Sequence, residues 1–110
     1  MDISEQQLDG AWLVAASGRI DSNSAPQLEA VLPDRVQQHE ATIMDLAGVA
    51  YVSSAGLRVF LKGMKAAEAG GHRLVSTGLS PAGPGVFGIS GFTPIFAIAA
   101  DVDAGLAALR

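Results

Sequence analysis

The feature that most constrains this chain is residues 51–71, which carry the pattern of one amphipathic helix with both ends marked. Apolar side chains recur there at intervals of three and four residues, at Leu57, Phe60, Leu61 and Met64. This spacing places them on one face of a helix, which we expect to be the buried face. A chain with such a helix near its middle has to provide an apolar surface on which the helix packs.

Both ends of this predicted helix are defined by residue type. Ser53 and Ser54 precede the apolar pattern, and their hydroxyls can accept hydrogen bonds from the amides of the first turn. Gly70 and Gly71 supply a left-handed stop. Because amides and the helix dipole favour negative charge at a helix N-terminus, a phosphate on a serine there is tolerated. Phosphorylation of one of these serines would therefore act as a switch. The alternative is that the serines only cap the helix, because serine is a preferred N-cap residue.

Short apolar runs on either side of the helix predict strands. They lie at residues 11–16, 41–46 and 72–76. A first helix is predicted from Ala25, where Ser24 and Gln27 match a capping box, and Pro33 predicts a kink or an early end. The resulting order of strand, helix, strand, helix, strand indicates crossover connections and parallel neighbours.

Turn signals predict the remaining connections. Asp9-Gly10 indicates a hairpin that places an N-terminal strand at the sheet edge. Residues 18–24 indicate a turn cluster, and the strand that ends near residue 46 is expected to run into a loop. Residues 78–91 are rich in glycine, so we expect a short, mobile helix there that orders on binding.

The C-terminal part of the chain carries weaker signals of the same kind. Residues 95–98 predict a brief strand. Asp101 is expected to cap a last helix that has Asp103 in its first turn and Leu106 and Leu109 facing inward. The whole chain thus predicts one α/β domain over residues 1–110, with a mixed sheet of four or five strands covered by about four helices.

Composition narrows the classes of function. A net charge of −4 and a pI near 4.8 argue against nucleic acid as the main partner. There is no cysteine, hence no disulfide or thiolate metal site, and this fits a cytoplasmic protein. No signal sequence is evident, and no apolar run approaches the roughly 20 residues that a membrane span needs.

Catalytic patterns are missing, so we expect neither an enzyme nor a cofactor. His39 and His72 are expected to be exposed, and the residues around Ser54 do not match the Gly-x-Ser-x-Gly elbow of serine hydrolases. No phosphate-binding glycine loop follows a strand, and the histidines are too far apart in sequence to suggest a metal site. Trp12 is expected in the core.

Two groups of polar residues are candidates for binding. Asp21, Asp45 and the serine pair would cluster if all lay at strand ends on one edge of the sheet, although the aspartates could equally satisfy loop amides. A second face of the central helix carries basic side chains, which form either a solvated face or a patch for an acidic partner: Arg58, Lys62 and Lys65.

Four motifs in order give the chain a family resemblance. They are Gly-Arg-Ile-Asp at residues 18–21, the apolar strand and loop at 43–52, Ser-Ser-Ala-Gly-Leu-Arg at 53–58, and Ser-Pro with later phenylalanines at 80–92. Together they resemble a stand-alone STAS domain, the sulphate-transporter and anti-sigma-factor-antagonist family. The resemblance covers nearly the whole chain, and its strength lies in the combination.

The resemblance implies a function and a set of site residues. The phosphoacceptor serine of the family falls on Ser54, and Ser53 stands where the family usually has an aspartate. The implied role is that of an antagonist that binds an anti-sigma factor or serine kinase of the histidine-kinase-like ATPase type. A serine phosphatase would reverse the switch. The partner-binding residues would be Asp21, Ser22, Asn23, Ser53, Ser54, Gly56, Leu57, Arg58 and Lys62.

The oligomeric state implied by the resemblance is a monomer or weak dimer. An alternative keeps the fold without the switch: a structural subunit of an ABC-type lipid transporter or of a signalling scaffold. Ser53 in place of the aspartate favours this alternative modestly.

Overall fold

A five-stranded sheet in the order β1-β2-β3-β4-β5 is the centre of the fold. The computed structural model describes residues 2–78, 97–99 and 101–109. The strands are β1 (Asp2–Leu8), β2 (Ala11–Ile20), β3 (Ala41–Val52), β4 (Arg73–Thr77) and β5 (Ala97–Ala99). The helices are α1 (Ala25–Glu29), α2 (Leu32–Gln38), α3 (Ser54–Gly70) and α4 (Val102–Leu109). This architecture confirms the predicted α/β fold with a mixed sheet.

The strand pairing follows from the connections. β1 and β2 are antiparallel and joined at Asp9-Gly10, where Gly10 has a φ of 101°, so the predicted hairpin and edge strand are confirmed. The pairs from β2 to β5 are parallel, as the alternation of strands and helices predicted. No helix among the described residues is long and apolar enough to cross a membrane.

Helices cover both faces of the sheet. One face carries the main apolar cluster, in which Met44 and Leu46 of β3 pack with side chains from α1, α2 and α3. Because side chains alternate along a strand, Ile43 points to the opposite face, where α4 packs. Gly105 of α4 lies close to the sheet, because a Cβ added to it would be 2.9 Å from Thr77 Cγ2 and 3.4 Å from Ile43 Cδ1. Asp101 caps α4, since its Oδ1 accepts the amide of Ala104 at 2.8 Å.

Pro33 divides the first helical segment, as predicted. α1 ends at Glu29 and α2 begins at Leu32, which places Pro33 in the first turn of α2, where its missing amide costs least. The predicted capping box is wrong, because the hydroxyl of Ser24 makes no cap hydrogen bond. That hydroxyl instead donates to the carbonyl of Arg19 at 2.8 Å and accepts the amide of Asp21 at 2.9 Å.

β2 and β3 are longer than predicted. The expected turn at residues 18–20 and the expected loop after residue 46 are both strand, paired in parallel as far as Ile20 and Val52. Register shifts occur between Ala15 and Ser17 and between Gly18 and Arg19. These irregularities break the alternation of apolar and polar residues, so the sequence pattern ends before the hydrogen-bonded strands do.

The buried face of α3 is centred on small residues. Phe60 is buried as predicted, but Leu57, Leu61 and Met64 are only half-buried at the margin of the cluster. The fully buried positions of α3 are Gly56, Val59, Phe60, Gly63 and Ala67. The two glycines let the helix axis approach the sheet and α2 closely, which rotates the larger side chains toward the edge of the contact.

The two histidines and Trp12 are half-buried, which corrects the expectation that the histidines are exposed and Trp12 is core. The rings of Trp12 and His39 stack with centroids 4.6 Å apart, and the indole Nε1 donates to Glu5 Oε1 at 2.9 Å. Nδ1 of His72 lies 2.7 Å from the carbonyl oxygen of Val36. Both histidines therefore tie the end of α2 to neighbouring elements.

The last part of the chain agrees with the prediction where the structure describes it. β5 includes residues 97 and 98 of the predicted strand, and Leu106 and Leu109 of α4 are half-buried. The mobile helix expected over residues 78–91 lies outside the described residues apart from Gly78. Residues 95 and 96 of the predicted strand also lie outside them.

Candidate functional site

Two connections meet where β2 and β3 end. The last residues of these strands, Ile20 and Val52, are paired in register. The amide of Ser53 continues this pairing and donates to the carbonyl of Ile20 at 2.7 Å. The loop that begins at Asp21 therefore lies beside the N-terminus of α3, as expected for the carboxyl ends of neighbouring parallel strands.

The carboxylate of Asp21 organises its loop. Its Oδ1 accepts the amides of Asn23 at 3.0 Å and of Ser24 at 3.2 Å, and it lies 3.2 Å from the Ser24 hydroxyl oxygen. The backbone amides of Asn23 and then Ser24 hold the pKa of the Asp21 carboxyl below its ordinary value of 3.8. Ser22 and Asn23 are exposed at the tip of this ordered turn.

We expect Asp21→Asn to be less stable than wild type at pH 7, by a margin that shrinks as the pH falls. Because the folded pKa of Asp21 is lowered, its stabilising effect is full above about pH 4 and is lost as the carboxyl becomes protonated. Urea denaturation of both proteins at pH 7 and pH 3 measures this difference. Asp21→Ala, which has no acceptor at all, should remain less stable at both pH values. A margin for Asp21→Asn that does not change with pH would contradict the prediction.

The two serines at the start of α3 have different environments. Ser53 is the N-cap: its Oγ accepts the amide of Gly56 at 3.4 Å and its carbonyl accepts the amide of Leu57 at 3.0 Å. Ser54 is the first residue of the helix and is exposed. Among the described residues, no group forms a hydrogen bond with the Ser54 hydroxyl. Ser53 thus has a local structural role, and Ser54 is an exposed residue at the start of the helix.

Gly56 allows α3 to lie against the ends of β2 and β3. A Cβ at this position would be 2.7 Å from Ile20 Cγ2 and 2.9 Å from Val52 Cγ1. Both neighbours are buried, with 0% of Ile20 and 3% of Val52 exposed. The glycine of the Ser-Ser-Ala-Gly motif is therefore required by packing, and it positions both serines relative to the Asp21 loop.

A groove of about 240 Å³ runs between α1 and α3, beside the serines. It is lined by Ser22, Ala25, Pro26, Glu29, Ala55, Arg58, Val59 and Lys62. Lys62 forms an ion pair with Glu29 across the groove. Arg58, Lys62 and Lys65 are all exposed, as the helical spacing predicted, and two of them border this groove.

Asp45 does not join the site, so this part of the predicted cluster is wrong. It lies within β3, which continues to Val52, and its Oδ1 accepts the hydroxyl of Thr77 and the amide of Ala47 at 3.2 Å each. The alternative that Asp45 satisfies a nearby amide is correct. No group of three histidine, aspartate or glutamate side chains within the described residues is arranged to hold a metal ion.

Arg19 and Tyr51 form a contact that no sequence motif indicated. The guanidinium carbon of Arg19 lies 4.5 Å from the centroid of the Tyr51 ring, and its Nε is 4.0 Å from Asp21 Oδ2. Tyr51 is 38% exposed, so the pair forms a surface next to the Asp21 loop. The two residues are register partners on β2 and β3, a relation hidden by the prediction of a loop at residue 51.

Comparison with known proteins identifies the family. A family model described as "Mlab, STAS domain" matches residues 3–96. The chain belongs to the STAS domain family. BtrV of Bordetella bronchiseptica, whose name describes an anti-sigma factor antagonist, is 37% identical over 111 residues, which cover 100% of this chain and 96% of BtrV. This STAS domain thus belongs with the anti-sigma factor antagonists, as its motifs predicted.

Solved structures show the same fold. An anti-sigma factor antagonist from Mycobacterium paratuberculosis superimposes with a TM-score of 0.83 at 24% identity, over 99% of this chain and 93% of that one. SpoIIAA of Bacillus in its phosphorylated form gives a TM-score of 0.73 at 20% identity, over 99% of this chain and 100% of SpoIIAA. At these identities the similarity establishes the STAS fold alone.

Proposed function

We propose that this STAS domain is a non-enzymatic, cytoplasmic anti-sigma factor antagonist whose binding is switched at Ser54. Its partner is an anti-sigma factor that is also a serine kinase of the histidine-kinase-like ATPase type, and a serine phosphatase restores the binding form. One observation carries the proposal: the hydroxyl of Ser54 is exposed at the start of α3, beside the ordered Asp21 loop.

The proposed binding surface combines that loop with the first turns of α3. Its residues are Asp21, Ser22, Asn23, Ser53, Ser54, Gly56, Leu57, Arg58 and Lys62. The hydrogen bonds of Asp21 order the loop, and the bond from the Ser53 amide to the Ile20 carbonyl connects the loop to α3 before a partner binds. A preordered surface loses little conformational entropy on association, which favours specific binding.

Phosphorylation of Ser54 would change this surface by charge. A phosphate adds about −1.5 to −2 charge units at pH 7, and the amides of the first turn of α3 stabilise it in the free protein. Burying the same charge against an apolar or acidic partner surface costs several kcal/mol, since the phosphate loses its water. Each 1.4 kcal/mol lowers affinity about tenfold, so the modified form would dissociate.

Known STAS structures support the proposal. SpoIIAA has been solved both phosphorylated and unphosphorylated, so a protein with this fold does carry a phosphate. BtrV, which matches this chain over its whole length, has the name of an antagonist. Ser54 is the residue of this chain that would carry the phosphate.

Matched serine variants test the switch. The wild type, Ser54→Ala, Ser54→Asp and Ser53→Ala are incubated with a histidine-kinase-like ATPase from the same genome. Mass spectrometry in the presence of ATP should find phosphate at Ser54 in the wild type and in Ser53→Ala, and none in Ser54→Ala. In pull-downs without ATP, Ser54→Ala should bind, whereas Ser54→Asp should bind at least about tenfold more weakly. Equal binding by these two variants would overturn the proposal.

A second candidate function is supported by Ser53. Ser53 stands where the family usually has an aspartate, and its hydroxyl caps α3. A domain that only assembles with other subunits is not a kinase substrate, so it does not need an aspartate there for recognition by a kinase. The candidate is a subunit of an ABC-type lipid transporter or of a signalling scaffold. Native mass spectrometry distinguishes the two functions, since stoichiometric permease or scaffold partners without phosphate at Ser54 would favour this candidate.

A further inference from the structure

We propose that Arg58 is the residue through which the state of Ser54 is read. In the unmodified protein its guanidinium binds a carboxylate of the partner, and after phosphorylation it binds the phosphate on Ser54 instead. This inference rests on the proposed switch at Ser54. It adds that the partner presents a carboxylate to Arg58 and that the phosphate on Ser54 competes with this carboxylate for the guanidinium.

Arg58 forms no ion pair within the described part of the chain. No carboxylate lies within 4.0 Å of it among the described residues, and residues 79–96 contain neither aspartate nor glutamate. Four other lysine and arginine side chains in the described part of the chain have partners. Lys62 pairs with Glu29, Arg35 with Glu5 and Arg19 with Asp21, and Arg73 donates to the carbonyls of Ala108 and Leu109.

Lys65 also lacks a described ion pair, but its position excludes it from this role. It follows Ser54 by three turns of α3, which is about 16 Å along the helix axis. It is also absent from the lining of the groove between α1 and α3. Arg58 is thus the unpaired cation of α3 that adjoins both the groove and Ser54, and Lys65 provides a matched control.

Helix geometry brings Arg58 to Ser54. The two exposed residues are four positions apart on α3, a spacing that places their Cβ atoms about 5–6 Å from each other. Side chains on a helix lean toward its N-terminus, so the side chain of Arg58 is long enough to reach the turn that contains Ser54. Its planar guanidinium forms two parallel hydrogen bonds with a carboxylate or a phosphate.

The groove defines the partner segment that Arg58 would recognise. Its apolar lining comes from Ala25, Pro26, Ala55 and Val59, and Arg58 also lines it. The chain as a whole carries a net charge of −4, which disfavours an acidic segment except at a local cation. The occupant we infer is therefore a short apolar segment of the partner with one aspartate or glutamate that pairs with Arg58.

Phosphorylation would add negative charge at Ser54, and it would also remove the ion pair between Arg58 and the partner carboxylate. A phosphate on Ser54 is held in the same helix as Arg58, so its effective concentration exceeds that of any carboxylate of a separate molecule. Its charge is also larger than that of a carboxylate. The phosphate would therefore win the competition for the guanidinium, and the partner carboxylate would lose its counter-ion.

The contact within the chain can be measured without a kinase or a partner. Phosphoserine is placed at position 54 by an expanded genetic code, and its second pKa is followed by ³¹P NMR. We expect this pKa to be about 0.3 unit lower with Arg58 than in Arg58→Gln, as for a helical i, i+4 ion pair. Lys65→Gln should leave it unchanged. Equal pKa values with Arg58 and with Arg58→Gln would overturn the contact, whether or not Ser54 is modified in the cell.

The partner chemistry is tested on the unmodified protein with two synthetic peptides, Leu-Glu-Leu and Leu-Gln-Leu, both with blocked ends. In ¹⁵N NMR titrations, the glutamate peptide should shift the amides of Ala25, Ala55 and Val59. Its affinity should fall about threefold in Arg58→Gln and remain unchanged in Lys65→Gln. Equal affinity of the two peptides, no saturable shift with either peptide, or an unchanged affinity in Arg58→Gln would overturn the inferred occupant. Absence of phosphate at Ser54 after kinase treatment would instead count against the proposed switch alone.

Discussion

Replacing Gly78 with alanine is expected to lower the free energy of unfolding by about 3 kcal/mol or more. Gly78 follows β4 with a φ of +75°, which costs a residue with a Cβ about 1–2 kcal/mol. A Cβ there would also lie 2.5 Å from the amide nitrogen of Ala47 and 2.7 Å from Asp45 Oδ1. The first of these neighbours is a backbone nitrogen of β3 that lies between the paired residues Asp45 and Gly48, so it has little room to move aside.

Gly71→Ala separates the two causes of the destabilisation expected for Gly78→Ala, which are the positive φ and the close contact of the new Cβ. Gly71 ends α3 with a φ of +67°, but nothing lies within 4 Å of a Cβ built there. Its replacement should therefore cost only the conformational part, about 1–2 kcal/mol. Urea denaturation of both variants and the wild type measures the difference. If the two substitutions destabilised the protein equally, the close contact between Gly78 and Ala47 would have no energetic effect.

Replacing Gly56 with alanine is expected to lower the free energy of unfolding by about 2 kcal/mol. The new Cβ would overlap Ile20 and Val52, two buried β-branched side chains with little freedom to change rotamer. Alanine is the better helix former, but this advantage of about 1 kcal/mol does not offset the overlap. Because α3 would move away from the strand ends, the amide of Ser53 should also exchange faster with solvent.

Gly70→Ala is the matched control on the same helix. The three atoms nearest to a Cβ there belong to the half-buried ring of His72, at 3.3 to 3.4 Å, so a shift of the ring by a few tenths of an ångström relieves the contact and keeps the ring beside the carbonyl of Val36. We expect this variant to be as stable as the wild type or up to about 1 kcal/mol more stable. Chemical denaturation gives the stabilities, and hydrogen exchange gives the protection of the Ser53 amide. A Gly56→Ala protein with wild-type stability and protection would contradict the packing argument.

The substitutions at Gly56 and Gly78 also show how the fold shapes the candidate site. Gly56 fixes the distance from α3 to the Asp21 loop, because the helix rests directly on Ile20 and Val52. Gly78 lies against Ala47 and Asp45, so it holds the middle of β3, from which the strand continues to the site. Gly56 therefore affects Ser54 through the position of α3, and Gly78 affects it through the position of β3.

Local sequence signals determined the order and type of the main elements. The apolar spacing and the terminal residues Ser53 and Gly71 defined α3, Asp9-Gly10 defined the first hairpin, and Pro33 divided the first helical segment. Each of these signals acts through the conformational preferences of a few consecutive residues, which do not depend on the rest of the fold. The same is true of the motifs that identified the STAS family, since they are short and occur in a fixed order.

Only the tertiary structure decided how the site is assembled. The extension of β3 to Val52 separates Asp45 from the serines and pairs Arg19 with Tyr51, and the approach of α1 to α3 creates the groove that Arg58 borders. The buried face of α3 was likewise set by its contacts at Gly56 and Gly63, which leave Phe60 buried but place Leu57, Leu61 and Met64 at the margin. Strand register and close packing depend on residues far apart in the chain, and no local pattern contains that information.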